Sequence, residues 1–124
     1  MGPLGPHKWV YGGGPLGPQG PLGPLFLRNT IFPENLHFCD LGEGWKLTEN
    51  GTTALDGDLP INMSGGVLSS NPIGASGMIR FGEAALQVMH QANEYQVDGA
   101  KLAMGHAYGG ASQFFAMWVV GNER

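Results

Sequence analysis

Sixteen residues from Asn62 to Gly77, NMSGGVLSSNPIGASG, constrain this chain more than any other stretch, because they run without a break into the apolar segment MIRFGEAALQVMHQ. Glycines at 65, 66, 74 and 77, together with Pro72, two asparagines and four serines, describe backbone that turns sharply, exposes its N–H groups and stops at a helix start. Ser76 is the expected N-cap. Gly74 and Gly77 keep the approach to the first helical turn open, so amides would point at whatever sits there. An oxyanion, a phosphate or a thioester oxygen fits such a cradle; a glycine-rich connection with no ligand is the plainer reading.

The segment after the loop is read by angle. With Met78 at zero and about 100° per residue, Ile79, Phe81, Ala84, Ala85, Leu86, Val88, Met89 and Ala92 cover an arc of about 220°. Arg80, Glu83, Gln87, His90 and Gln91 share the narrow remainder. A surface helix needs an apolar stripe of only about 100°, so a helix near Ser76 to Gln91 expects cover on more than one side. Beyond Gly99 two strand-like runs follow. AKLAMGHAY puts Ala100, Leu102, Met104, His106 and Tyr108 on one face by period two, and FFAMWVV is apolar on both faces, as in a central strand. Gly109-Gly110 and the short connection after it imply a hairpin from Lys101 to Val120.

Residues 1–30 are of another kind. GPLGP occurs at Gly2, Gly14 and Gly20, and from Gly14 the phase is Gly-X-Y for four triplets, too short a run for a triple helix and interrupted upstream by HKWVYGG. The expectation is a disordered or polyproline-like arm that contributes nothing to the fold. Ordinary globular composition begins near Phe32. Pro33 to Leu36 can open a helical turn, and Asn50-Gly51 and Asp56-Gly57 are turn signals.

Taken in order, these blocks resemble the C-terminal end of a thiolase, in the branch of the sterol-carrier-protein thiolases and lipid-transfer acetyl-CoA acetyltransferases. The family loop reads roughly N-x-x-G-G-x-x-x-x-G-H-P-x-G-x-S/T-G. Asn62, Gly65, Gly66, Pro72, Gly74, Ser76 and Gly77 stand in matching places, one residue short between the glycine pair and the proline. Upstream, ENLHFCDLGEGWKLTENGTTALDGDLPIN resembles the acidic lead-in to that loop, and QVDGAKLAMGHAYGGASQFFAMWVVG resembles the last two strands, so the likeness covers about residues 34–124.

The resemblance implies an α/β fold: the C-terminal portion of a five-layered thiolase-like architecture in which a helix from each half lies between two sheets. Residues 31–124 would form that partial domain. It implies an acyl-CoA thioester as substrate, with no cofactor. A thiolate takes the acyl group and a second Cys or His works on the alpha carbon. Asn71 stands at the loop histidine; it can donate to an oxyanion but cannot exchange a proton near neutral pH. The late acid/base position falls at His106 or Ala107 depending on register, and Gly109 matches the glycine whose amide serves a second oxyanion hole. The catalytic candidates are His106, Tyr108 and Asn71; the loop candidates are Gly65, Gly66, Gly74, Ser76, Gly77 and Gly109.

His106 is a candidate base because imidazole titrates in the working range, against a plainer reading as a satisfied strand-end histidine. Tyr108 is a candidate for retro-aldol chemistry, as in thiolase-like aldolases resembling this branch, against a plainer reading as hairpin packing. Cys39 resembles no nucleophile position, since the family's nucleophile lies in the N-terminal half; it reads as a small half-buried residue. The expected reading is therefore a C-terminal fragment of an acyl-CoA acyltransferase, inactive alone. The alternatives are a non-catalytic acyl-CoA or lipid-binding fragment and part of a retro-aldolase. Implied partners are the N-terminal thiolase half or a small OB-fold acyl-CoA-binding protein, and family members are homo-oligomers.

Charge excludes other classes. The formal net charge is −4, and the six Lys and Arg are scattered singly, which leaves no basic stripe for nucleic acid or anionic lipid. One cysteine cannot form an intramolecular disulfide, and the four histidines lack metal-ligand spacing. A cytoplasmic setting is the expectation, with no signal segment and no membrane span.

Overall fold

The computed structural model describes residues 8–12, 33–66, 71–110 and 113–122. The β-prone run in the C-terminal quarter forms the centre. Strand β2 (Ala100–Gly109) turns through Gly110, whose φ is +55°, and pairs antiparallel with β3 (Phe114–Gly121) from Leu102↔Gly121 to Gly109↔Phe114. This is the expected hairpin. On the other edge of β2 lies β1 (Lys8–Gly12), parallel, so the strand order is β1-β2-β3. The expected arm of residues 1–30 thus sends five residues into the sheet, and the rest of it lies outside the described residues. The five fall where the GPLGP repeats give way to Lys-Trp-Val-Tyr-Gly, the one part of the arm rich in β-branched and aromatic residues.

Two layers cover β2. Helix α1 (Gly44–Glu49) and helix α2 (Ser76–Val88) lie in the segments on opposite faces. Ala84 and Val88 of α2 pack with Val97, Ala100 and Ala103, with Met63, Trp118 and Val120 against them. Met104, one residue on and therefore on the opposite face, packs with Leu59 and Ile61 under Leu36, Phe38 and Leu47. Asn50 and Gly51 end α1, Gly51 at φ +74° with its N–H on the Thr48 carbonyl. Among the described residues no helix is long and apolar enough to cross a membrane.

Period two correctly groups Leu102, Met104, His106 and Tyr108, but Ala100 belongs with Ala103 on the α2 face. The cause is a bulge. Lys8 pairs with Ala100 and Trp9 with Leu102, so Lys101 is an extra residue and the alternation slips by one. β3 also departs from expectation: it ends the strand order instead of lying inside the sheet.

Among the described residues the helix lacks the cover on more than one side that its wide apolar arc predicts. Its buried residues are Arg80, Ala84, Gln87 and Val88, while Met78, Phe81, Leu86 and Met89 are exposed. Two polar side chains, Arg80 and Gln87, are therefore inside. Gln87 explains its own burial: its Oε1 accepts the Val97 N–H at 2.9 Å and its Nε2 donates to the Tyr95 carbonyl at 2.5 Å, clamping the α2–β2 connection. Gln96 completes the clamp by donating to the Gln87 and Val97 carbonyls. Asn122 closes the far end, with its Nδ2 on the Val88 carbonyl and its backbone N–H on that of Lys101.

Gly105 sets the spacing beneath Trp118. A Cβ there would lie 2.7 Å from the indole Nε1, and the same ring meets Phe81 edge-on at 5.9 Å between centroids. Gly105→Val is expected to lower the unfolding free energy by about 2–3 kcal/mol, the scale of a strained overpacked site, read by denaturant titration. Removing residues 1–12 strips β1 from the edge of β2 and should lower the melting midpoint by several degrees; an unchanged midpoint would show that the sheet does not need the arm.

Candidate functional site

The loop candidates gather at the start of α2. A 3-10 turn over Ile73–Ala75 leads straight into the helix, with the Ala75 N–H on the Pro72 carbonyl at 3.2 Å. That continuity moves the beginning of the coil back from Ser76, the expected N-cap. Ser76 is the first residue of α2, its flanking residue is Ala75, and no side chain caps the helix. The Ser76 hydroxyl instead donates to Asn71 Oδ1 at 2.6 Å. With its oxygen engaged, the exposed Asn71 carboxamide has its NH₂ as the remaining hydrogen-bonding group. Ile73 between them carries φ +40° and is 88% exposed, a conformation that costs a β-branched residue free energy and returns no packing.

The glycines divide by what surrounds them. Gly65 and Gly66, at φ +86° and +59°, make the turn that begins at Asn62. Gly77 lies against β2, where a Cβ would come 2.8 Å from the Ala107 Cβ. At Gly74 and Gly109 an added Cβ would meet nothing within 4 Å, so both border open space. The structure thus brings Asn71, Gly74, Ser76 and Gly77 together on the side of Ala107. His106 and Tyr108 alternate to the other face of β2, where their rings stack at 6.4 Å and 20° and Tyr108 adjoins Phe115 at 6.3 Å. Of the two register choices for the late position, Ala107 is the residue beside the loop helix.

Beneath the turn lies a polar cluster that the sequence reading did not single out. Arg80, 2% exposed, pairs with Glu83 Oε2 at 2.6 Å, and the Ser64 hydroxyl donates to Glu83 Oε1 at 2.5 Å. These bonds tie the Asn62–Gly66 turn to the second turn of α2. The signal was present in the spacing: Arg80, Glu83 and Gln87 line one side of the helix, and a polar stripe on a helix with a 220° apolar arc is as well placed inward as outward. A cleft of about 240 Å³ opens beside the cluster, lined by Met63, Ser64, Glu83, Leu86, Gln87 and Tyr95 among others.

Cys39 belongs to the layer on the other side of the sheet, next to Phe38. Burial first, then the charges of Glu34, Asp40 and Glu43, push its thiol above the ordinary range. A raised pKa leaves less thiolate at neutral pH, the opposite of what an acyl-accepting cysteine requires. Among the described residues no group of three His, Cys, Asp or Glu side chains is arranged to hold a metal ion.

Comparison with known proteins bears on this geometry. Residues 27–122 match the family model described as thiolase C-terminal domain-like. The chain is similar to an acetyl-CoA acetyltransferase of Methanothermobacter thermautotrophicus, 41% identical over 78 residues, which is 62% of this chain and 20% of that protein. It is similar to sterol carrier protein 2 of Bos taurus, 39% identical over 77 residues, 61% of this chain and 14% of the relative. It is also similar to the benzoylsuccinyl-CoA thiolase subunit BbsB of Thauera aromatica, 35% identical over 82 residues, 64% of this chain and 21% of the relative. The chain therefore spans about a fifth or less of the length of these relatives.

Alkylation tests the Cys39 environment. Iodoacetamide at pH 8 should modify Cys39 several-fold more slowly in the folded chain than in denaturant, and the folded rate should still be climbing at a pH where the unfolded thiol has levelled off.

Proposed function

Because the chain belongs to the thiolase C-terminal domain-like family, we propose that it supplies the loop-bearing part of an acyl-CoA thioester site and is inactive until an N-terminal thiolase half covers α2. The observation that carries this reading is the roll of α2. Its buried side, Arg80, Ala84, Gln87 and Val88, is polar and small, and Met78, Phe81, Leu86 and Met89 form an exposed apolar flank. A second layer laid on that flank would bury it and close water out of the space bordered by Gly74, Asn71 and Ser76.

In this reading the Asn71 NH₂, held by Ser76, donates to the thioester oxygen as negative charge develops on it, and the loop amides add to that hole. Gly74 and Gly109 leave room for the ligand. The acyl-accepting thiolate and its base come from the covering half, since covalent transfer needs both within hydrogen-bond reach of one carbonyl. Acyl-CoA is the substrate and no cofactor takes part; the covering half, or a small OB-fold acyl-CoA-binding protein, is the partner, in a cytoplasmic setting. A retro-aldol variant is favoured by one observation: Tyr108 is about half exposed and stacked on His106, a phenol and an imidazole side by side. Tyr108→Phe would abolish that activity and spare acyl transfer.

The chain alone, given acetyl-CoA and acetoacetyl-CoA, should turn over near background, because removing members of a catalytic unit costs several powers of ten. Co-expression with an N-terminal thiolase half should restore acyl-CoA cleavage, and Asn71→Ala should then cut kcat about 100-fold, the scale of one oxyanion donor. Gly74→Val or Gly109→Val should abolish thioester binding with little loss of stability. Enzyme-like turnover by the chain alone, through an acyl-thioester on Cys39, would overturn the reading.

A further inference from the structure

The cleft of about 240 Å³ beside the Arg80–Glu83 pair is a second concave site, apart from the loop: neither Asn71, Gly74, Ser76 nor Gly109 lines it. Its walls are fixed before anything enters. On one side the Ser64 hydroxyl is bonded to Glu83, which ties the Met63–Ser64 wall to α2. On the other, the chain after α2 is folded back by two left-handed residues, His90 at φ +57° and Asn93 at φ +51°, and is held by Gln96, whose Oε1 accepts the Ala92 N–H at 3.0 Å. Gln87 secures the same wall from the helix by donating to the Tyr95 carbonyl. A site held open in this way loses little of a ligand's binding free energy to ordering of the protein.

The lining selects what can bind. Met63, Ala84, Leu86, Ala92 and Tyr95 make it mainly apolar. Its polar groups are largely committed: Gln87 Oε1 accepts the Val97 N–H, Gln87 Nε2 donates to Tyr95, and the Ser64 hydroxyl donates to Glu83. Glu83 retains capacity. Its two oxygens accept bonds from Ser64 and Arg80, whereas an ionised carboxylate accepts about four, so a further donor can be met there. Charge narrows the choice again, because an anion would meet the Glu83 carboxylate and a cation would meet Arg80, which already balances it at 2.6 Å. An apolar cavity of about 150 Å³ admits benzene, so this one has room for a bicyclic ring. We propose that the cleft binds a small neutral aromatic molecule with one hydrogen-bond donor, an indole-like bicycle whose N–H is given to Glu83 and whose ring lies against Met63, Leu86 and Tyr95. Such an occupant touches the Asn62–Gly66 turn and α2 at once and stabilises the pair. The site does not need the covering half, so its failure would leave the thioester reading intact.

Titration of the isotope-labelled full chain with indole, followed by two-dimensional NMR, should give saturable shifts at the amides of Ser64, Glu83, Ala92 and Tyr95, with a Kd of about 0.1–1 mM, the affinity open to so small a molecule. Benzofuran, the same bicycle with an oxygen in place of the N–H, should bind about tenfold more weakly, the worth of one hydrogen bond to a charged group. Indole-3-acetate, whose carboxylate meets Glu83, should also bind more weakly than indole. Ala92→Phe, which fills the cleft from a half-buried position, should abolish the indole shifts with an unchanged circular dichroism spectrum. Tyr95→Ala, at a position 49% exposed, removes one wall and should weaken binding without touching the core, which keeps the test open should the filled variant not fold. Indole should raise the melting midpoint of the chain and leave that of Ala92→Phe unchanged, since a ligand that binds only the folded state stabilises it. Absence of saturable shifts, benzofuran binding as tightly as indole, indole binding that survives both variants, or shifts centred on Met78 and Phe81 in place of the cleft would overturn the proposal.

Discussion

The close approach of α2 to β2 is the contact on which the remainder of this structure depends. It is made by residues with little or no side chain: Ala84 on the helix, Ala100 and Ala103 on the strand, and Gly77 against Ala107 where the helix begins. Small residues gain little from burial individually, about 0.8 kcal/mol per methylene-sized group. Their value here is geometric. They leave Trp118 packed against Gly105 and in edge-on contact with Phe81. The same approach holds the first turn of α2 beside the end of β2, so the Asn71–Ser76 loop is positioned by packing along the full length of the helix.

Polar groups decide which side of α2 is used. Arg80 and Gln87 are costly to bury, and each is compensated by partners fixed in space: Glu83 and Ser64 for the guanidinium, the Val97 N–H and Tyr95 carbonyl for the carboxamide. An apolar surface would accept many rotations of the helix. These hydrogen bonds accept one. By turning the polar stripe inward they leave Met78, Leu86 and Met89 outward, and they lock the glycine turn at Asn62–Gly66 to the helix that carries the proposed thioester site. The inward polar side and the open apolar flank have a single cause.

β2 is the only strand among those described with a neighbour on both edges and a layer on both faces. Its burial falls away along its length, from Ala103 and Met104 inside to Tyr108 and Gly109 outside, and the residues singled out for chemistry lie at that open end. The candidate residues and the exposure coincide there for a structural reason. Among the described residues, Leu59 and Ile61 of segment 33–61 pack against the sheet at Met104, and the loop helix reaches it at Ala107.

Much of this was legible in the chain itself. The glycine loop, the helix after it, the hairpin and its Gly110 turn, and the family likeness carried by Asn62, Gly65, Gly66, Pro72, Gly74, Ser76 and Gly77 all follow from local chemistry: backbone freedom, periodicity and turn residues act over a few positions and are written in them. The rest was set by tertiary structure. Period two cannot foresee a bulge at Lys101, because the extra residue is defined only against β1. An angular plot shows how wide an apolar arc is but not which side faces the sheet, because Gln87 turns inward only when Val97 and Tyr95 are there to meet it. Trp-Val-Tyr in the arm has strand character but no address until β2 offers an edge. Ser76 looked like a cap by type, and only the 3-10 turn over Ile73–Ala75 made it the holder of Asn71. Sequence determined which elements form, since that is local; packing and hydrogen bonds between distant residues decided how those elements face one another.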